Sequence, residues 1–247
     1  MTDITPHDLK GRDVLPAPLR AALGAITRAN TGAASTYITR YRAAHSDATP
    51  RDVLDALEHR YWILSSMAGG SVGALAALPG IGTGTALATS TLEQVGFLEA
   101  TAFYIVARAE LHGLPVDDQL RRQTLFMTIL LGDAGYATLT QIAGRTGKHW
   151  GAAVTKTIPM STIRAANSVL GRNVITKYGT KQGVIVIGRA LPFGIGAVIG
   201  GTAGALSARA IMAAADKAFG DPPSGFSPSS APQGPVEPGL PPVAAAA

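Results

Sequence analysis

Two stretches of this chain carry no charged side chain: Tyr61 to Leu92, 32 residues, and Ala190 to Ala208, 19 residues. By length both approach the roughly 20 residues of a membrane-crossing helix. By composition they are poor spans, because Gly, Ala, Ser and Thr prevail over Leu and Ile and insertion is only weakly favoured. Their spacing says more. Gly69, Gly73 and Ala77 recur every four residues, as do Gly196, Gly200, Gly204 and Ala208. On a helix this period makes a strip without side-chain relief, a glycine zipper, along which a second backbone can lie closely. A glycine inside a helix costs about 1 kcal/mol relative to alanine, so the strips imply close helix contacts that offset the cost. The expected fold is all-α: a multi-helix bundle with two glycine-zipper apolar hairpin segments.

The rest of the chain reads as helix and breaker. Residues 1–48 form an N-terminal extension, poorly ordered at first and then amphipathic and helical over Ala17 to Ala44. The main domain, 49–220, opens at Thr49-Pro50-Arg51-Asp52. Thr49 can cap free backbone donors, Pro50 suits the first helical position, and Asp52 sits where the helix dipole favours a negative charge. That helix should run to about Leu78, where Pro79-Gly80 breaks it. A second should span Thr85 to His112 and stop at Gly113. A third should run unbroken from Asp117 toward Ile142, supported by Asp117–Arg121 and Asp118–Arg122 pairs one turn apart. Residues 144–158 read as a basic connection, Met160 to Tyr178 as a helix, and the strand-like run Gly183 to Gly188 as buried helix. A last helix should end at Phe219. The tail, 221–247, holds eight prolines and almost no charge, and cannot bury enough apolar surface to order itself.

Composition bears on partners. The net charge is +5, and there is no cysteine, which excludes disulfides and thiolate metal sites. Met1 to Val14 has charged residues and no apolar core, so it does not read as a secretory signal, and a cytoplasmic, membrane-associated protein is expected. Between Ala134 and Ala215 there is no Asp or Glu, against nine basic residues. Eight of these, Arg145, Lys148, Lys156, Arg164, Arg172, Lys177, Lys181 and Arg189, are the candidate contacts to anionic lipid; Arg209 is the ninth. Such a run repels itself unless an anion is near. A lipid headgroup, nucleic acid or an acidic protein would each serve, as would plain solvation. Few aromatics lie among these residues, which argues against base stacking and a specific nucleic acid.

Motifs for chemistry are weak. Gly69-Gly70-Ser71-Val72-Gly73 fits the G-x-S-x-G pattern of a hydrolase elbow, which needs a strand before the serine; here the context is helical. Gly194 to Gly200 lacks the alternating β/α setting of a dinucleotide site, and Gly144-Arg145-Thr146-Gly147-Lys148 lacks P-loop spacing. Ala77 to Gly82 and Ala190 to Gly196 share a Leu-Pro and glycine break, suggesting a pseudo-repeat of two broken helices. Glu93, Glu99, His112 and Asp133 are the candidate functional polar residues, but Glu110 and His112 are too close in sequence for the Glu-x-x-His element of a di-metal bundle. Asp133 is expected to pair with an arginine. No cofactor or metal is expected, and the balance leans away from an enzyme.

Several blocks together resemble the bacterial EcsC family: Leu78-Pro79-Gly80-Ile81-Gly82, Leu92-Glu93-Gln94 with Phe97, Ala109 to Gly113, Leu130 to Asp133, Gly188 through Gly201, and Ala218-Phe219-Gly220. The resemblance covers about residues 50–221. The family is named for a gene beside that of an ABC transporter, and the resemblance implies an α-helical, membrane-associated protein with no accepted catalytic residues. The expected function is a non-enzymatic accessory to transport or envelope processes, with anionic membrane lipid as partner. An ABC transporter or another membrane protein, and a homo-oligomer, are further partners it allows. The alternative is a soluble or peripheral helical carrier of a lipid-like ligand.

Overall fold

The computed structural model describes residues 32–76, 83–114, 116–178 and 200–226, with side chains placed over 32–66, 96–114, 116–174 and 204–226. The described residues form helices and no strand: α1 (32–44), α2 (Pro50–Ala76), α3 (Thr83–Leu111), α4 (Gln119–Leu131), α5 (Asp133–Ala143), α6 (Trp150–Ala152), α7 (Met160–Tyr178) and α8 (Gly200–Phe219). The expected all-α architecture holds. Among these helices none is long and apolar enough to cross a membrane.

Local chemistry sets most boundaries. Thr49 and Asp52 cap α2 reciprocally: the Asp52 amide donates to Thr49 Oγ1 at 3.3 Å, and the Thr49 amide donates to the Asp52 carboxylate at 2.8 Å, a capping box. The Thr49 hydroxyl also donates to that carboxylate, and these bonds hold Asp52 below its ordinary pKa. At the other end of α3, Gly113 turns with φ +61°. The Leu114 amide then reaches back to the Ala109 carbonyl at 3.0 Å, as a Schellman closure requires.

One expected helix is two. The run from Asp117 to Ile142 breaks at Gly132, whose φ is +64°, and α5 folds back on α4. Gly135 permits the fold: a Cβ there would lie 2.4 Å from the Thr128 carbonyl oxygen. The expected Asp118–Arg122 support is also reassigned. Asp118 caps α4 by accepting from the Arg121 amide at 2.9 Å. The Arg122 guanidinium donates to the Val116 and Asp117 carbonyls, and that of Arg121 donates to Val154 and Ile158. The basic connection is likewise structured: α6 runs straight into a π-helical turn, Ala153–Thr157.

The core is centred on α3 and α4. Every residue of α4 from Arg122 to Leu131 is buried, which places the helix in the middle of the fold, with α5, the π turn and α7 packed on it. Ile163, Ala166, Leu170 and Val174 form the inner stripe of α7, and Asn167 between them ties Thr124 Oγ1 at 2.7 Å. The most extensive pairing in the fold is α2 with α8. It draws together the two ends of the domain sequence. Its described crossing point is Gly204, where a Cβ would sit 2.1 Å from the Ser65 carbonyl oxygen; Ala208 is fully buried one turn on. Helix α1 joins this core through Ala34 and Ile38, with Tyr37 edge-on to Phe103 at 5.8 Å. Past α8, Phe226 lies under the Arg42 guanidinium at 4.1 Å.

Of the other zipper positions, Gly69 and Gly73 lie on α2 and Gly200 opens α8, while Ala77 and Gly196 fall outside the described residues. So do the strand-like run 183–188 and the tail from 227.

Candidate functional site: a buried arginine clamp and a basic shell

Among the described residues Arg108 of α3 is the largest fully buried side chain, 1% exposed. A buried guanidinium must spend its donors on protein groups or lose several kcal/mol to desolvation. Arg108 meets that demand with both terminal nitrogens, which reach groups on three helices, and leaves its buried Nε without a hydrogen-bond partner among the described residues. Nη1 donates to Glu58 of α2 at 3.0 Å and to the Tyr104 hydroxyl at 2.7 Å. Nη2 donates to Asp216 of α8 at 2.5 Å and to the Gly220 carbonyl at 3.1 Å. The Tyr104 hydroxyl passes its own proton toward Glu58 at 3.1 Å, and its ring stacks on Tyr61 of α2 at 4.7 Å. Below, His112 joins the Arg108 carbonyl at 2.8 Å to the Asp221 carbonyl at 3.2 Å.

The electrostatics make this a fastening, not a reactive centre. Burial lowers the Arg108 pKa, but Tyr104 and Asp216 raise it further, so the net shift is upward and the cation is permanent. Burial pushes the Tyr104 phenol well above its ordinary range, so it stays neutral. Among the described residues no group of three His, Asp or Glu is placed to hold a metal. Ser71 lies inside α2, without the strand that a nucleophile elbow needs.

The polar residues singled out from sequence do not gather in one place. His112 belongs to the clamp. Glu99 is exposed on α3 and lines, with Arg60 and Phe103, a cleft of about 280 Å³ between α2 and α3. Asp133 pairs at 2.6 Å with Lys217 of α8, not with an arginine, and both side chains are more than half exposed; the break at Gly132 makes it the first residue of α5. Glu93 lies on α3, its side chain outside the described residues. Arg108, Glu58, Tyr104 and Asp216 were not among the sequence candidates. The one local signal was Arg108 itself, a lone charge in the run Thr101 to Ala109.

The basic residues lie elsewhere. Arg145, Lys148, Lys156, Arg164 and Arg172 are all exposed, on the 144–149 loop and on the two elements after it that pack on α4, the π turn and α7. Tyr136 of α5 is 36% exposed beside Trp150, their rings 6.2 Å apart. Lys177 lies on α7 with its side chain outside the described residues, and Lys181 and Arg189 fall beyond them. Where the first uncharged segment begins, Trp62, Ile63 and Leu64 of α2 are exposed, and so is Leu206 of α8 where the second ends. The chain matches no protein-family model, no curated protein and no solved structure.

Proposed function

We propose that this is a non-enzymatic helical protein that binds the cytoplasmic face of an anionic membrane, as an accessory to transport or envelope processes. The observation that carries the reading is the shell over α4: five exposed basic side chains on consecutive elements, in a stretch of sequence without one carboxylate. Near an anionic surface each such side chain contributes roughly 1 kcal/mol, and salt weakens it. The exposed Trp62, Ile63, Leu64 and Leu206 add apolar surface of the kind that marks membrane or protein contacts. The resemblance to the EcsC family supports the same reading, with a membrane transporter as the protein partner.

Cosedimentation of the full chain with vesicles tests it. Binding to phosphatidylcholine vesicles containing phosphatidylglycerol is expected at low salt, with little to phosphatidylcholine alone. Exchanging Arg145, Lys148 and Arg164 together for Gln should weaken binding by about a hundredfold, from about 3 kcal/mol of lost attraction. Equal binding to both vesicle types would sink the idea. Stoichiometric lipid carried through purification in the absence of vesicle binding would favour the carrier instead.

A further inference from the structure

The loop between α5 and α6 bends at Gly144 and Gly147, with φ of +76° and +86°. Between this loop and the π turn lies a cleft of about 230 Å³, walled by Ala153, Ile158 and Pro159 and rimmed by Arg145, Thr146 and Thr157. Thr157 spends its hydroxyl on the Ala153 carbonyl at 3.2 Å. Thr146 does not: its Oγ1 is buried and has no hydrogen-bond partner among the described residues. A buried hydroxyl left so costs about 1–3 kcal/mol, and a turn about the Thr146 Cα–Cβ bond toward the cleft it lines would bring the hydroxyl to an acceptor there and remove that cost.

Charge narrows what the acceptor is. Arg145 is the one charged residue among those lining the cleft. Lys148 and Lys156 are exposed on the two segments that flank it. The ends of α5 and of the π turn present carbonyls, which alone would favour a cation. Arg121 already answers two of them, donating to Val154 and to Ile158 at 2.9 Å. With that dipole end met by a fixed guanidinium, Arg145 and the Thr146 hydroxyl remain as donors in a cleft whose lining holds no carboxylate.

We propose that this cleft binds a phosphate group, Arg145 offering its planar fork to two non-bridging oxygens and Thr146, turned to the cleft, donating to one of them. The volume is below the roughly 300–1,000 Å³ of sites that enclose a drug-sized molecule. It admits a phosphate and its first few carbons, and leaves acyl chains outside. The phosphate belongs either to a lipid headgroup or to a soluble phosphate ester. The lipid source rests on the membrane reading above; the site itself does not.

Thr146→Val tests the site without changing net charge, so general attraction to an anionic surface is preserved. The full chain is titrated with phosphatidylglycerol vesicles and, by calorimetry, with glycerol 3-phosphate. Loss of one hydrogen bond to a charged group predicts about tenfold weaker binding for Thr146→Val, and Thr146→Ser should bind as the native chain does. Should Thr146→Val misfold by circular dichroism, Arg145→Gln replaces it in the glycerol 3-phosphate titration, where no membrane surface adds attraction, with about tenfold loss expected against at most about twofold for Arg164→Gln, which removes the same charge from α7. Vesicle binding that Thr146→Val leaves unchanged overturns the site and keeps the membrane reading. Glycerol 3-phosphate binding that needs Thr146, without vesicle binding, keeps the site for a soluble ester and ends the membrane reading. Binding of neither probe overturns both.

Discussion

Replacing Arg108 by Met removes the charge of the clamp and keeps most of its apolar stem. The loss can be worked partner by partner. Asp216 is 64% exposed, so water reaches it and its arm contributes no more than about 1 kcal/mol. Glu58 is only 27% exposed and would keep the Tyr104 hydroxyl as its remaining donor. An ion pair broken from one side in such a setting costs about 3–5 kcal/mol, chiefly because the remaining charge is stranded. The sum for Arg108→Met is about 4 kcal/mol, a large part of the 5–15 kcal/mol that holds a typical domain together. In urea unfolding, at about 2 kcal/mol per molar, the midpoint should fall by about 2 M. The double variant Arg108→Met with Glu58→Gln should regain about half the loss, since no buried carboxylate is then left unpaired. A midpoint shift below about 0.5 M, or a double variant no more stable than the single one, would refute the electrostatic account.

Two further outcomes follow from the geometry. Gly204→Ala must push α8 off the Ser65 carbonyl and should cost about 2 kcal/mol, whereas Gly96→Ala, in an open stretch of α3 with nothing within 4 Å of the new methyl, should gain about 0.5–1 kcal/mol; thermal melts of the pair read both, and equal shifts would contradict the close crossing. Glu110, which accepts from the Ser35 hydroxyl of α1, has its pKa raised, mostly by burial, against the Ser35 hydrogen bond and with help from Asp117. The folded chain therefore holds that proton to higher pH than the unfolded one. The contribution of Glu110 to stability falls as pH climbs from its ordinary 4.5 through the higher folded value. Urea midpoints taken across this range should decline in the native chain relative to Glu110→Gln, and parallel curves would remove Glu110 as the cause.

Sequence made the ends of elements legible where one residue decides them. Thr49 with Pro50, Gly113 and Pro159 each act within a turn of chain, and each boundary stands within a residue or two of where local chemistry puts it. Gly132 was harder. Apolar residues continue on both sides of it, so periodicity runs through, and only the return of α5 onto α4 requires the left-handed turn. The nearby Gly135, three residues on, carried that information without announcing it. The clamp was not legible at all from pattern: Glu58 and Asp216 lie 50 and 108 residues from Arg108, and nothing local marks either one. The close crossing at Gly204 falls on one of the four-residue-spaced positions, but spacing did not name its partner, the Ser65 turn of α2.

The pairing of α2 with α8 also fixes an order of events. About 120 residues of chain separate the end of α2 from the start of α8, and at ribosomal rates that interval lasts on the order of ten seconds. During it the face of α2 that ends up against α8 stands uncovered, and Arg108 holds Glu58 without Asp216. Such a long-range closure is also slow in its own right. A nascent chain in that condition offers a temporary hydrophobic surface to whatever is close by, and a chaperone or a membrane surface would be its natural shelter until the last helix arrives.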